Sequence, residues 1–237
     1  MPRHRRVTPA GYTQHVLNRR NERGTIFHKP ADYEAFLTIL ADGLERAPVK
    51  IFAYCLMKTH FHLVIRPESD DAIPEYMRWV LNVHVRRYRR HSNSVGHGHV
   101  YQDRYKNFLI EDEIHLLTVI RYVEGNALRA NLVDRAEEWP WSSLAPQTTR
   151  DGRRILSPWP FARPPDWAET VNAPFSIEEL QQIREAARRG TPFGSPDWTE
   201  RTVEKYGLDH TLRSPQRPFK DSDSPRASLP HSSPLFE

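Results

Sequence analysis

Tyr54-Cys55-Leu56-Met57-Lys58-Thr59-His60-Phe61-His62-Leu63-Val64-Ile65-Arg66 is the stretch whose reading decides the fold. Two short apolar runs meet at the polar corner Lys58-Thr59, which predicts two adjacent strands over 50–57 and 60–66. Side chains alternate along a strand, so His60 and His62 leave one face while Phe61, Leu63 and Ile65 leave the other. The apolar face is suited to pack on a helix. The opposite face presents two imidazoles side by side, and neutral imidazole is the commonest protein ligand for a divalent metal. A rigid strand can offer both to one ion. The chain has twelve histidines, however, so a lone His-x-His pair also arises by chance.

Working outward, Gly11 to Asn18 reads as a strand, and Arg19 to Gly24 as a charged turn at its end. Pro30 opens a helix in which Tyr33, Phe36, Leu37, Leu40 and Leu44 recur at helical spacing, and Ala47-Pro48 ends it. Downstream, Asp70 or Asp71 can cap a second helix that carries Tyr76, Met77, Val80, Leu81, His84, Val85 and Tyr88. The Ser-, Gly- and His-rich segment 91–99 is expected to be a mobile loop, and 100–110 a strand pair or bent strand. Asp112 precedes a third helix that should run to about Arg129. This order predicts an α+β fold, an antiparallel sheet with helices packed on one face. The other face is then left at least half exposed, where basic and aromatic side chains could meet single strands.

Of the 237 residues, 38% are hydrophobic and 27% charged, a globular composition. Twenty prolines outnumber ten glycines and crowd the second half, which predicts a compact domain over 1–145 and a less regular segment over 146–212. Within that segment Ile177 to Arg189 forms an amphipathic helix with Ile177, Leu180, Ile183 and Ala187 on one side, and Ser195-Pro196 starts another. The Ser/Pro-rich stretch 213–237 lacks a packable face and is expected to be disordered. Trp139-Pro140-Trp141 reads first as a packing staple, with base stacking as the other use of its rings. A single cysteine, Cys55, excludes an intrachain disulfide and a thiolate metal cluster. With no long apolar run or signal-peptide pattern, the expectation is a cytoplasmic protein without a membrane.

The net charge is only +4, but it is unevenly placed. Arg3, Arg5, Arg6, Arg19, Arg20, Arg23 and Lys29 face one acid, Glu22, in the first thirty residues. Arg86, Arg87, Arg89, Arg90, Arg104 and Lys106 form a second group opposed by Asp103. Such clustering suits a polyanion, most simply nucleic acid, although a solvated basic face has the same look. On the third helix Leu116, Ile120, Val123 and Ala127 make the apolar stripe, with Tyr122 and Asn126 four apart on the opposite side. A tyrosine near a cation, base or positive field can act as a nucleophile. An asparagine carbonyl can complete a Mg²⁺ or Mn²⁺ shell that mixes nitrogen and oxygen.

These residues carry a resemblance. The chain resembles the single-tyrosine members of the HUH nuclease superfamily, more closely the IS200/IS605-type transposases, and within them the REP-associated tyrosine transposases. The blocks that carry it are Tyr12 to Arg20, Ala53 to Leu63, Gly98 to Lys106, Arg121 to Val133 and Trp141-Ser142-Ser143, together most of residues 10–145. Gly190 to Ser195 and the basic Pro-containing tail near Arg217-Pro218 resemble the C-terminal appendage of the REP-associated branch. Two positions depart from the family pattern: Lys58-Thr59 replaces Pro-Asn before the histidines, and Ala127 replaces the proline after Asn126.

The resemblance implies an HUH-type, ferredoxin-like sheet in which His60, His62 and Asn126 hold Mg²⁺ or Mn²⁺ and Tyr122 attacks DNA. It implies palindromic hairpin DNA with a short single-stranded foot as substrate, and a nucleoid-associated protein. Arg104 and Lys106 are the expected backbone contacts near the site, with Arg19, Arg20, Arg23, Arg86, Arg87, Arg89 and Arg90 gripping stem and flank. The REP-associated branch implies a monomer using its own tyrosine, whereas the parent transposases dimerise with exchanged tyrosine helices. Three other readings stay open. A hairpin-binding regulator would keep the fold without the chemistry, a metal-dependent phosphodiesterase would use water, and an RNA-binding sheet would need neither. Loss of Tyr122, His60, His62 or Asn126 would mark the first, and none is lost.

Overall fold

A computed structural model describes residues 6–21, 24–91, 98–145, 149 and 152–212. β2 (Val49–Met57) and β3 (His60–Pro67) pair antiparallel about the Lys58-Thr59 corner, with Leu56 opposite Phe61 and Met57 opposite His60. β1 (Gln14–Arg19) pairs with the other side of β3, and β4 (Lys106–Leu109) pairs with β1, giving an antiparallel sheet of order β2-β3-β1-β4. The β2–β3 register slips between Ile51 and Ala53, and this bulge turns Phe52 and Ala53 onto the same face of the sheet.

α1 (Pro30–Leu44) and α2 (Ala72–His91) cover one face, burying Val16, Ile51, Tyr54, Leu56, Phe61, Leu63 and Ile65. Proline stands in the first turn of each, where its missing N–H costs nothing. The α+β class and the antiparallel sheet are as expected, but the helices are not confined to one face. α3 (Glu113–Glu124) lies on the opposite face against Ala53, Cys55, Val64 and Phe108, joined there by α5 (Trp167–Asn172) and α6 (Ile177–Arg189). The physical reason is the sheet's second face, which is itself apolar away from the histidines. Its burial is worth about 25 cal/mol per Å².

Other segments differ in detail. The expected bent strand over 100–110 reduces to β4 and an isolated Arg20–Tyr101 bridge. α5 forms inside a stretch expected to be irregular, anchored by buried Trp167 and Val171. α6 has the expected span, but Ile177, on its first turn, is 71% exposed, and Ile183 and Ala186 carry the contact. α7 (Pro196–Tyr206) starts after Ser195 as expected. The tryptophan pair is a packing staple: Trp141 stacks on Tyr33 with centroids 4.7 Å apart, and Trp139 Nε1 donates to the Leu56 carbonyl. Of the loop expected over 91–99, His91 instead ends α2, while residues 92–97, like the tail over 213–237, lie outside the described residues. Among the described residues no helix is long and apolar enough to cross a membrane.

Candidate active site

Strand register assembles the site. Arg19 on β1 stands opposite His60 on β3, and Leu17 opposite His62. Cys55 and Met57 on β2 flank the same two histidines from the other side. His62 is buried, its Nε2 has no hydrogen-bond partner, and its Nδ1 lies 2.8 Å from Nε2 of His15. The Nδ1 of His60 lies 2.9 Å from the Thr59 hydroxyl. The threonine that departs from the family pattern therefore anchors the adjacent ring. Burial holds both histidines below their ordinary values, His60 at about 4, with Arg19 adding to the effect. His62 lies well below 6.5, through burial first and then its neighbours His60, His15, Arg129 and Arg19. Both rings are neutral at physiological pH, with lone pairs available.

Tyr122 is not on a solvent-facing side of its helix. It is only 9% exposed, at the edge of the inward face, with its ring centroid 6.0 Å from that of His62. The helix also ends sooner than expected: α3 stops at Glu124, Gly125 intervenes, and Asn126 opens the short α4 (Asn126–Arg129). A Cβ on Gly125 would come within 2.8 Å of Arg129 Nη1 and 3.1 Å of the Arg121 carbonyl, so the glycine permits a close approach. Asn126 Nδ2 donates to the Tyr122 carbonyl at 3.3 Å, leaving Oδ1 unbonded to any described residue. The end of α3 is fixed by Glu124, whose buried carboxyl accepts from Ser143 Oγ and Trp167 Nε1, both at 2.6 Å. Burial raises that carboxyl above its usual range.

His60, His62, Tyr122 and Asn126 thus line one cavity of about 640 Å³, with Arg19, Arg104 and Lys106 on its walls. A volume of this size admits a nucleotide rather than an ion alone. The other expected basic residues are elsewhere. Arg20 donates to the Thr25 carbonyl and the Tyr88 hydroxyl, tying the turn to α2. Arg86, Arg87, Arg89 and Arg90 belong to α2, the helix on the far face of the sheet. Arg23 lies outside the described residues. Tyr105, beside Arg104 and Lys106, is buried in the core against Arg6, and burial pushes its phenol up to about 12.

Sequence reasoning missed three parts of the site. His15 is fully buried beside His62, and burial holds it at about 3. Alternation groups it with Leu17 and Arg19, but only the β1–β3 register shows that this is the histidine face. Arg129 lies over the Tyr122 ring, and Arg184 and Arg188 of α6 line the cavity. No signal in the sequence could have brought α6 to this edge. A separate group, Glu111, Asp112 and His115, has metal-ligand spacing, but its members are engaged locally. Asp112 caps α3 by accepting from the His115 amide and ring, and Glu111 accepts from Ser195.

Comparison with known proteins agrees with this architecture. Residues 10–126 match the family model described as "Transposase IS200 like". A Haemophilus influenzae protein that carries the name REP-associated tyrosine transposase is 24% identical over 130 residues, covering 52% of this chain and 72% of that protein. A solved structure of a REP-associated tyrosine transposase bound to a REP hairpin aligns with a TM-score of 0.50 at 21% identity, covering 66% of this chain and all of that one. The sheet, the histidine pair and the tyrosine helix all lie inside residues 10–126, the span that is similar to the IS200-like transposase family.

Proposed function

We propose that this protein nicks and rejoins single-stranded DNA at palindromic hairpins through a covalent bond to Tyr122. The observation that carries the reading is the convergence of His60, His62, Asn126 and Tyr122 in one cavity with basic walls. The hairpin substrate is carried over from the REP hairpin named with the solved relative. In the proposed step the Tyr122 oxygen attacks the scissile phosphorus in line. The P–O3′ bond breaks, the 3′-oxygen leaves as a hydroxyl after gaining a proton, and the phenol gives up its own. A 5′-phosphotyrosine results, and because the ester bond energy is kept, an incoming 3′-hydroxyl can reverse the step. In this reading Arg19, Arg104, Lys106 and Arg184, which line the cavity, bind phosphates of the strand, and Arg86, Arg87, Arg89 and Arg90 on α2 meet the duplex stem.

The donor set suits a divalent cation: a buried His62 Nε2 without a partner, His60 with its Nδ1 already engaged, and a free amide oxygen on Asn126. When bound there, Mg²⁺ or Mn²⁺ would draw charge from the scissile phosphate. We read the protein as a monomer that uses its own tyrosine, as the REP-associated resemblance implies. We place the functional unit in residues 1–145, with 146–212 as a linker and short helices, and the work of the protein in the cytoplasm, at the nucleoid.

The test is a labelled hairpin oligonucleotide incubated with Mg²⁺ or Mn²⁺, followed by a denaturing gel and mass spectrometry of the adduct. The wild type should yield a protein–DNA adduct at Tyr122. Tyr122→Phe should bind the hairpin but form no adduct, and His60→Ala or His62→Ala should lose metal-dependent cleavage. An adduct mapped to another tyrosine, or cleavage that survives Tyr122→Phe, would sink the mechanism. Hairpin binding with no adduct over a broad substrate set would favour a regulator that keeps only the fold.

A further inference from the structure

His15 lies within the Tyr12–Arg20 block without a role assigned to it there, yet its Nε2 is the atom that meets His62 Nδ1. The β1–β3 register sets Leu17 opposite His62 and His15 opposite Val64, so the two histidines are diagonal neighbours on one face. Nε2 of His15 and Nδ1 of His62 are 2.8 Å apart, with the rings 24° from parallel. Two neutral imidazoles at this distance place one proton between the facing nitrogens, so one ring donates and the other accepts.

The two arrangements differ in what His62 shows to the cavity. If His15 donates, His62 accepts at Nδ1 and must carry its proton on Nε2, aiming an N–H at the cavity. If His62 donates from Nδ1, its Nε2 is a bare lone pair. The cavity walls carry Arg19, Arg104, Lys106 and Arg184, and that positive surround favours a lone pair over an N–H. Thr59 makes the parallel contact to His60, also at Nδ1, so both rings are anchored at the same atom. Phe108 and Tyr122 pack around His15, with centroids 4.8 and 6.3 Å from it, and leave its ring little room to turn.

We propose that His15 is a positioning residue, accepting a hydrogen bond from His62 Nδ1–H and so keeping the Nε2 lone pair of His62 turned into the cavity. The inference deepens the metal-site reading above and rests on it for its use. It gives the orphan nitrogen of His62 a use, at the cost of an unpaired N–H on His15. His62 Nε2 is reserved for a ligand, and His15 Nδ1, buried without a partner, carries the proton that its bare Nε2 cannot. Such outer partners fix the tautomer and orientation of ligating histidines.

Two measurements on the full-length chain test it. Long-range ¹H–¹⁵N NMR of the ¹⁵N-histidine protein should show His62 and His15 each protonated on Nδ1. A proton on Nε2 of His62 overturns the inference, whatever the metal does. In the second arm, Mn²⁺ affinity is read by electron paramagnetic resonance of the free ion. His15→Phe, which fills the space without an acceptor, should weaken binding about ten-fold or more. His15→Gln, whose amide oxygen can accept the same proton, should recover most of the loss. Unchanged affinity in His15→Phe, or no recovery in His15→Gln, overturns the inference. If His15→Phe does not fold, the NMR result on the unaltered protein decides. If wild type and His62→Ala bind Mn²⁺ alike, the metal-site reading falls, and the tautomer measurement still judges the pair by itself.

Discussion

The guanidinium of Arg129 lies over the ring of Tyr122, 4.4 Å from its centroid, and donates to the Tyr122 carbonyl across the break between α3 and α4. Arg129 is largely buried, and burial lowers it to about 10, so it remains charged at neutral pH. The proposed nucleophile therefore sits under a fixed positive charge. Arg129→Gln should slow single-turnover cleavage by about ten-fold or more, since one preorganised electrostatic partner is removed. Hairpin affinity in a gel shift should hold. Loss of affinity with an unchanged cleavage rate would make Arg129 a binding residue and nothing else.

Arg184 reaches the cavity from α6, well outside the span of the family match. It is exposed, so Arg184→Ala should leave the thermal midpoint unchanged. Affinity for oligonucleotides with a single-stranded flank should fall, and the slope of log Kd against log salt should shrink by about one. Deleting residues after Arg213 should change affinity or turnover only moderately. A salt slope equal to that of the wild type would remove Arg184 from the DNA path.

His84 is buried on the other face of the sheet, its Nδ1 2.7 Å from the Tyr101 hydroxyl, and burial holds it at about 4 against 6.5 unfolded. The unfolded chain therefore binds more protons between these values. Stability is retained above about pH 6.5 and is lost as pH falls, by about 1.4 kcal/mol per unit for this group. Urea midpoints measured from pH 7.5 to 5 should decline on the acid side, and His84→Gln should make the decline shallower. A mutant profile parallel to the wild type would refute this role for His84.

Glu124 ties α3 to the Trp141-Ser142-Ser143 segment and to α5 through its bonds with Ser143 and Trp167. Glu124→Ala would leave two buried donors unpaired, at about 1–3 kcal/mol each. Glu124→Gln keeps an acceptor and has no charge to bury, so it should cost less. Urea denaturation at pH 7 separates them, and an equal loss in both would mean that shape, not hydrogen bonding, matters here.

Much of this was legible in local pattern. The His60–His62 alternation, the proline-started helices and the span of α6 follow from periodicity and capping, which act within a few residues. Partnership between distant segments was not. Nothing in β1 announces that it lies between β3 and β4, so His15 was passed over although its strand was expected. Tyr122 was assigned to the outward side of its helix because the sequence shows one stripe per helix. α3 in fact lies between the sheet and the later helices, and a second face is partly buried. The tight approach of Gly125 to Arg129 likewise exists only once the chain has turned between α3 and α4.

The segments after Glu138 also close the margins of the sheet. On the β2 side, Leu56 N–H donates to the Trp141 carbonyl, Ser143 N–H to Tyr54 and Ser157 N–H to Ile51. On the β4 side, Phe193 N–H donates to Leu109, and Glu111 N–H to Phe193. An uncapped strand margin is a template on which another chain can add a strand, the first step of edge-to-edge aggregation. The second half of the chain thus acts as a seam along both borders. Cutting it away would bare hydrogen-bonding backbone on each side, so a minimal fragment trimmed to the family match would trade solubility for size.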